Sequence, residues 1–141
     1  MKTSLFIYLI LVFSYLSFGQ TAITPLAGDG SEQNPYQIAT LGNLYWIRSD
    51  STLWDQNFIQ TADINAAATI TWFDSTGWKP IGWISRFTFV GTYNGQGHII
   101  DSLFINNSFN TGLFGYCTGL FGYCTGAKID SLGLTNSKIS G

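Results

Sequence analysis

Few side chains in this sequence can do chemistry, and their spacing restricts what that chemistry is. His98 is the single histidine. A zinc-protease helix of the HExxH type needs two, and a Ser-His-Asp arrangement would have to draw on His98, directly after the turn Asn94-Gly95-Gln96-Gly97. A lone histidine in that place reads as a hydrogen-bonded structural residue. Asp63, Asp74, Asp101 and Asp130 are the internal carboxylates of interest. Paired carboxylates about 5–9 Å apart support glycoside hydrolysis. Asp101 and Asp130 share the context Ile-Asp-Ser-Leu, so they are expected to stack in neighbouring repeat units. Nothing near them relieves the like-charge repulsion, which favours a solvated face over a catalytic pair. Calcium suits carboxylate and carbonyl oxygens, but the Asp-rich nonapeptide pattern that would hold it between repeats is absent. Lys79 and Arg86 are too few cations for a lyase that must neutralise a uronate. The expectation is a chain without catalytic residues, metal site or cofactor.

Two further groups admit more than one reading. Trp46, Trp54, Trp72, Trp78 and Trp83 fall within 38 residues. Indole faces stack on sugars, but large aromatics also fill cores, where burial stabilises by about 1.5–3 kcal/mol each; core is the favoured reading for most of them. Cys117 and Cys124 are equivalent residues of a duplicated segment. They are the candidate disulfide of an exported chain, given Cα atoms within about 7 Å. The alternative is that duplication copied one unpaired cysteine.

Short β-type segments must position these residues. Tyr36-Gln37-Ile38 is an extended run after the turn at Asn34-Pro35. Thr40 is placed to cap a helix of roughly ten residues with Leu41, Leu44 and Tyr45 along one face. Asn57–Ile64 reads as a strand and its exit, and Trp72–Trp83 as an aromatic loop in which Pro80 blocks helix. Phe87–Tyr93 and Ile99–Ile105 each read as one strand. TGLFGYC occurs twice without substitution, at Thr111–Cys117 and Thr118–Cys124. Residues 100–108 align with 129–137, an offset of 29 that becomes 22 when one seven-residue copy is removed. A period of 22 lies in the range of β-solenoid coils. An odd-numbered insertion flips every later side chain to the other face, so the extra copy is expected to bulge at a turn or re-register.

Composition limits partner and compartment. Lys2 precedes the apolar run Leu5–Phe13, and Ser17-Phe18-Gly19 precedes Gln20. This is the pattern of a signal peptide over residues 1–19, and the run is short of the about 20 residues a membrane span requires. Residues 20–141 then form one modest domain with no membrane span after cleavage. Without the leader, five basic residues face eight acidic ones. With no basic cluster, nucleic acid is not an expected partner. Charged residues make up 10% of the chain, against about 25% in ordinary soluble domains. Uncharged polar turns between apolar runs fit a β-rich extracellular protein.

Gly119-Leu120-Phe121-Gly122, Ala127–Leu134 and Ile139-Ser140-Gly141 resemble the GLUG repeat of bacterial surface proteins. GDGSEQNPYQIAT, FIQTADI, GWKPIG and FVGTYNGQGHIIDSLFI, in that order, resemble the leader ahead of such repeats. The likeness covers most of Leu26 to Gly141; Asn94, Gln96 and the doubled TGLFGYC depart from it. It implies an all-β chain, a right-handed parallel β-helix (β-solenoid) whose first coil is covered by a short N-terminal capping helix near Leu41–Ser49. It also implies a secreted or cell-surface, non-catalytic role in display or adhesion toward an extracellular glycan or a host or cell-surface protein. The alternative role is an accessory segment of a larger secreted peptidase or polysaccharide-degrading enzyme. The residues at Ile139–Gly141 are expected to lead into a further coil, and an uncovered last coil would expose strand edges to self-association.

Overall fold

The computed structural model describes residues 20–82, 88–107, 113–114, 120–121 and 126–140. The leader, Trp83, Arg86, Cys117 and Cys124 lie outside the described residues, and with them the signal peptide and the candidate disulfide. The chain runs through β1 (Tyr36–Ile38), α1 (Leu41–Ser49), β2 (Asn57–Gln60), β3 (Ile64–Asn65), α2 (Trp72–Ser75), β4 (Thr92–Asn94), β5 (Ile99–Asp101) and β6 (Phe104–Asn106). It continues through β7 (Leu113–Phe114), β8 (Leu120–Phe121), β9 (Lys128–Asp130), β10 (Gly133–Thr135) and β11 (Lys138–Ser140). Single 3-10 turns occupy Ser51–Leu53 and Ala67–Thr71.

These strands form a four-stranded sheet in the order β1-β2-β4-β9, a three-stranded sheet β10-β5-β3, and the pairs β11-β6 and β7-β8. Every ladder between them is parallel. Six of the strands, β4, β5, β6, β9, β10 and β11, are three-residue units with an apolar centre. Phe58, Tyr93, Ile100 and Ile105 point inward and are at most 1% exposed. Ile38, Leu44, Ile47, Trp54, Trp78 and Leu103 complete the same core.

Local chemistry explains the helix. Thr40 Oγ1 accepts from the Asn43 N–H at 3.1 Å, and Asn43 Oδ1 accepts from the Thr40 N–H at 3.2 Å. Two of the helix's orphan donors are thereby satisfied, with Asn in the place more often taken by Glu. Asn43 Nδ2 also donates to the Ile23 carbonyl at 2.9 Å, which ties the N-terminal segment across the helix start.

A right-handed, all-β parallel helix with one coil per 22 residues is not what the structure contains. The described residues are of mixed class: short strands in separate parallel sheets, two small helices, and no closed solenoid among them. A spacing of 22 occurs only between β1 and β2, where Tyr36 faces Phe58. Elsewhere Asn57 faces Thr92, Thr92 faces Lys128, and Ile100 faces Leu134, spacings of 35, 36 and 34. The residues between β3 and β4 leave the strand regions to form a 3-10 turn and α2, which bring Trp72 and Trp78 into the core.

The alignment of residues 100–108 with 129–137 also misassigns the strands. Ile100 pairs with Leu134, whereas Ile129 pairs with Tyr93. Ile99–Ile105 is not one strand: the chain turns at Ser102 (φ 59°), as it does at Ser131 (φ 53°) after β9 and at Asn136 (φ 49°) after β10. Each turn makes the same demand, an inward apolar residue, an outward polar one, then a residue that tolerates left-handed φ. Ile-Asp-Ser-Leu therefore recurs at corners that are not equivalent in the fold. The duplicated Leu-Phe dipeptides pair with each other, Leu113 with Leu120 and Phe114 with Phe121, apart from the other sheets.

Candidate functional site

The outer face of the four-stranded sheet carries a polar groove. Side chains alternate across a strand, so burial of Phe58 and Tyr93 turns their neighbours outward. Asn57, Thr92 and Lys128 form one register row, and Ile59, Asn94 and Asp130 the next. With Glu32 and Pro35 from the preceding turn, these rows line a shallow groove of about 390 Å³.

The groove is built from its ladders and one close backbone approach. The Asn57 side chain donates from Nδ2 to the Gly30 carbonyl at 2.9 Å and accepts from Thr92 Oγ1 at 2.7 Å. Asp29 holds the Gly28–Asn34 turn by accepting the Ser31 N–H at 2.9 Å, and the Ser31 hydroxyl, then the Ser31 N–H, keep its carboxyl below the usual range. Gly91 packs so tightly on β2's approach that a β-carbon there would fall on the Gln56 carbonyl oxygen. Asn94 Oδ1 caps its own turn by accepting the Gln96 N–H at 2.8 Å, which leaves the amide nitrogen without a partner among the described residues. Lys128 Nζ lies 3.3 Å from Asp130 Oδ2, an exposed pair worth little to stability. The result is a surface of hydrogen-bond donors and acceptors in which the charged groups are Glu32, Lys128 and Asp130.

Beneath the groove lies a buried polar contact that no sequence motif marks. Gln60 is fully buried on β2. Its Nε2 donates to the Ala62 and Ile99 carbonyls at 2.9 Å, and its Oε1 accepts from the Tyr93 hydroxyl at 2.9 Å. One side chain thus joins β2, β4 and the start of β5, and burial pushes the Tyr93 phenol well up.

The residues singled out from the sequence are dispersed. His98 Nδ1 lies 3.1 Å from Asp63 Oδ1, which also accepts the Ile99 N–H at 3.1 Å. That backbone donor, then His98, holds the Asp63 carboxyl below its usual range. Asp101 and Asp130 do not stack on each other as expected. Asp101 lies between Asn65 and Thr135, and Asp130 beside Asn94. Asp101 accepts from the Thr135 hydroxyl at 2.6 Å, the Ser102 hydroxyl at 2.7 Å and the Asn136 amide at 2.7 Å, and in that order these donors lower its carboxyl. This is a saturated structural carboxylate. Asp74 sits exposed in α2, where Phe73, Asp74 and Ser75 all have φ of 49–63°. Lys79 Nζ lies 4.2 Å from the centre of the Phe73 ring.

Trp54, Trp72 and Trp78 are buried, and Trp46 packs against the core, so these four do not form an exposed stacking platform. Among the described residues, no three His, Cys, Asp or Glu side chains group to hold a metal ion. Nor is any helix among them long and apolar enough to cross a membrane. The groove residues Asn57, Thr92 and Asn94 were not anticipated. The signal available was the triplet pattern polar–apolar–polar in Thr-Tyr-Asn and Lys-Ile-Asp.

No protein-family model matches the chain. Halomucin of Haloquadratum walsbyi is 37% identical to it over 111 residues, which are 74% of this chain and 1% of that protein. The chain therefore spans about one hundredth of the relative's length. No solved structure matches it.

Proposed function

We propose that this chain is a non-catalytic module of an exported protein that works at the cell surface or outside the cell, where it recognises an extracellular ligand. The observation that carries this reading is the 37% identity to Halomucin over 111 residues, a protein whose name marks it as mucin-type. The apolar start at Leu5–Phe13 followed by Ser17-Phe18-Gly19 supports export. The order of motifs from Leu26 to Gly141 supports a GLUG-like surface module. The polar groove on the four-stranded sheet supports recognition, because it collects hydrogen-bonding groups on one open face.

Fractionation of cells that express the chain with its own N-terminus tests this. The expected result is protein in the medium or accessible to added protease on intact cells, with a mature N-terminus at Gln20. Intact Met1 on protein confined to the cytoplasm overturns it. A hydrolytic activity on a glycan or peptide panel, abolished by one substitution in this chain, overturns the non-catalytic part.

A further inference from the structure

We infer that the outer face of the four-stranded sheet binds an uncharged polysaccharide laid across the strands, one sugar residue per strand. This rests on the proposed role in extracellular recognition and names the ligand class of that same groove. The parallel register is the first ground. In-register strands repeat their outward side chains at the strand spacing of about 4.8 Å, close to the advance of one pyranose residue along an extended β-linked chain. Asn57, Thr92 and Lys128 follow that repeat, and so do Ile59, Asn94 and Asp130. The register sets the spacing and not the identity of the groups, which are amide, hydroxyl and ammonium in one row and aliphatic, amide and carboxylate in the next.

The chemistry of the groups is the second ground. A sugar hydroxyl donates and accepts at once. The groove offers both: acceptors in the Glu32 and Asp130 carboxylates, and donors in the Asn94 amide N–H groups and the Lys128 ammonium, the last paired with Asp130. Ile59 and Pro35 offer apolar contact for the C–H face of a ring. Two carboxylates against one ammonium disfavour a uronate or sulfated chain, as does the chain's net charge of −2. The outward side chains include no aromatic and no arginine, the residues that anchor protein interfaces. That argues against a folded protein as the occupant.

The test uses the purified chain from Gln20 with regenerated cellulose, chitin and mannan, and with alginate and polygalacturonate as acidic comparators. Binding to at least one uncharged polymer and to neither acidic one is expected. For soluble β-linked oligosaccharides of that polymer, affinity should rise with length and level off at about three residues, one for each of β2, β4 and β9, the strands that line the groove. Ile59→Glu should weaken binding about tenfold or more. Ile70→Glu, the same change at a position 54% exposed and outside the groove, should leave it unchanged. If Ile59→Glu fails to melt as a folded protein, Lys128→Glu replaces it, with the same expected loss.

Lack of binding to all three uncharged polymers overturns the inference. So does equal binding to the acidic ones, or full affinity in a folded groove variant. Export is measured separately, so a secreted protein that binds no polysaccharide removes the ligand and leaves the surface role standing.

Discussion

Gln60 offers the sharpest test of what holds the sheets together. Gln60→Leu keeps the volume nearly constant, so the cavity contribution is small. What it removes is the side-chain amide. The Ala62 and Ile99 carbonyls lose their donor and the Tyr93 hydroxyl loses its acceptor, all in or beside a fully buried position. Each buried group left without a partner costs about 1–3 kcal/mol. Partial relaxation around three such groups places the expected loss at about 3–5 kcal/mol. Tyr93→Phe removes the bond to Gln60 and leaves the amide in place, and should cost about 1–2 kcal/mol. In the double variant the phenol and its acceptor are both gone, so the costs should fall short of additivity by about 1–2 kcal/mol, as for residues in contact. Urea unfolding of the four proteins measures this. A loss below about 1 kcal/mol for Gln60→Leu, or additivity within about 0.5 kcal/mol, would refute the claim that Gln60 joins the sheets.

Three other outcomes follow from particular contacts. Asp101 is lowered by the Thr135, Ser102 and Asn136 donors, so its stabilising contribution is complete above the unfolded-state value of about 3.9. It is lost as pH falls through the lower folded value; melting between pH 7 and pH 2 should show an acid decline that is shallower in Asp101→Asn, and an identical profile would contradict the assignment. Gly91→Ala drives a methyl group onto the Gln56 carbonyl between β2 and β4 and should cost about 1–3 kcal/mol by urea unfolding, with a neutral result showing that the strands have room to part. Deleting Thr118–Cys124 removes β8 and its pairing with β7 while every other ladder keeps its partners. Stability should change by less than about 2 kcal/mol, and an unfolded product would mean that both copies are structural.

Sequence by itself determined the local elements. The Tyr36–Ile38 run, the Thr40 cap and the helix through Ser49 follow from short-range rules, a short extended run after the Asn34-Pro35 turn and a side-chain oxygen placed to accept an orphan N–H group, that of Asn43. Burial of Trp54, Trp72 and Trp78 followed from their size and apolarity. Pairing did not, because identical Ile-Asp-Ser-Leu segments satisfy identical corner geometry wherever a corner occurs. Their offset of 29 records a shared local requirement and not a shared ladder. Only tertiary structure decided that Asp101 meets Thr135, that Asp130 meets Asn94, and that the spacing between β2 and β4 widens to 35 around the aromatic turns. The groove has the same origin. Asn57, Thr92 and Lys128 are separated by 35 and 36 positions, and parallel pairing alone sets them side by side.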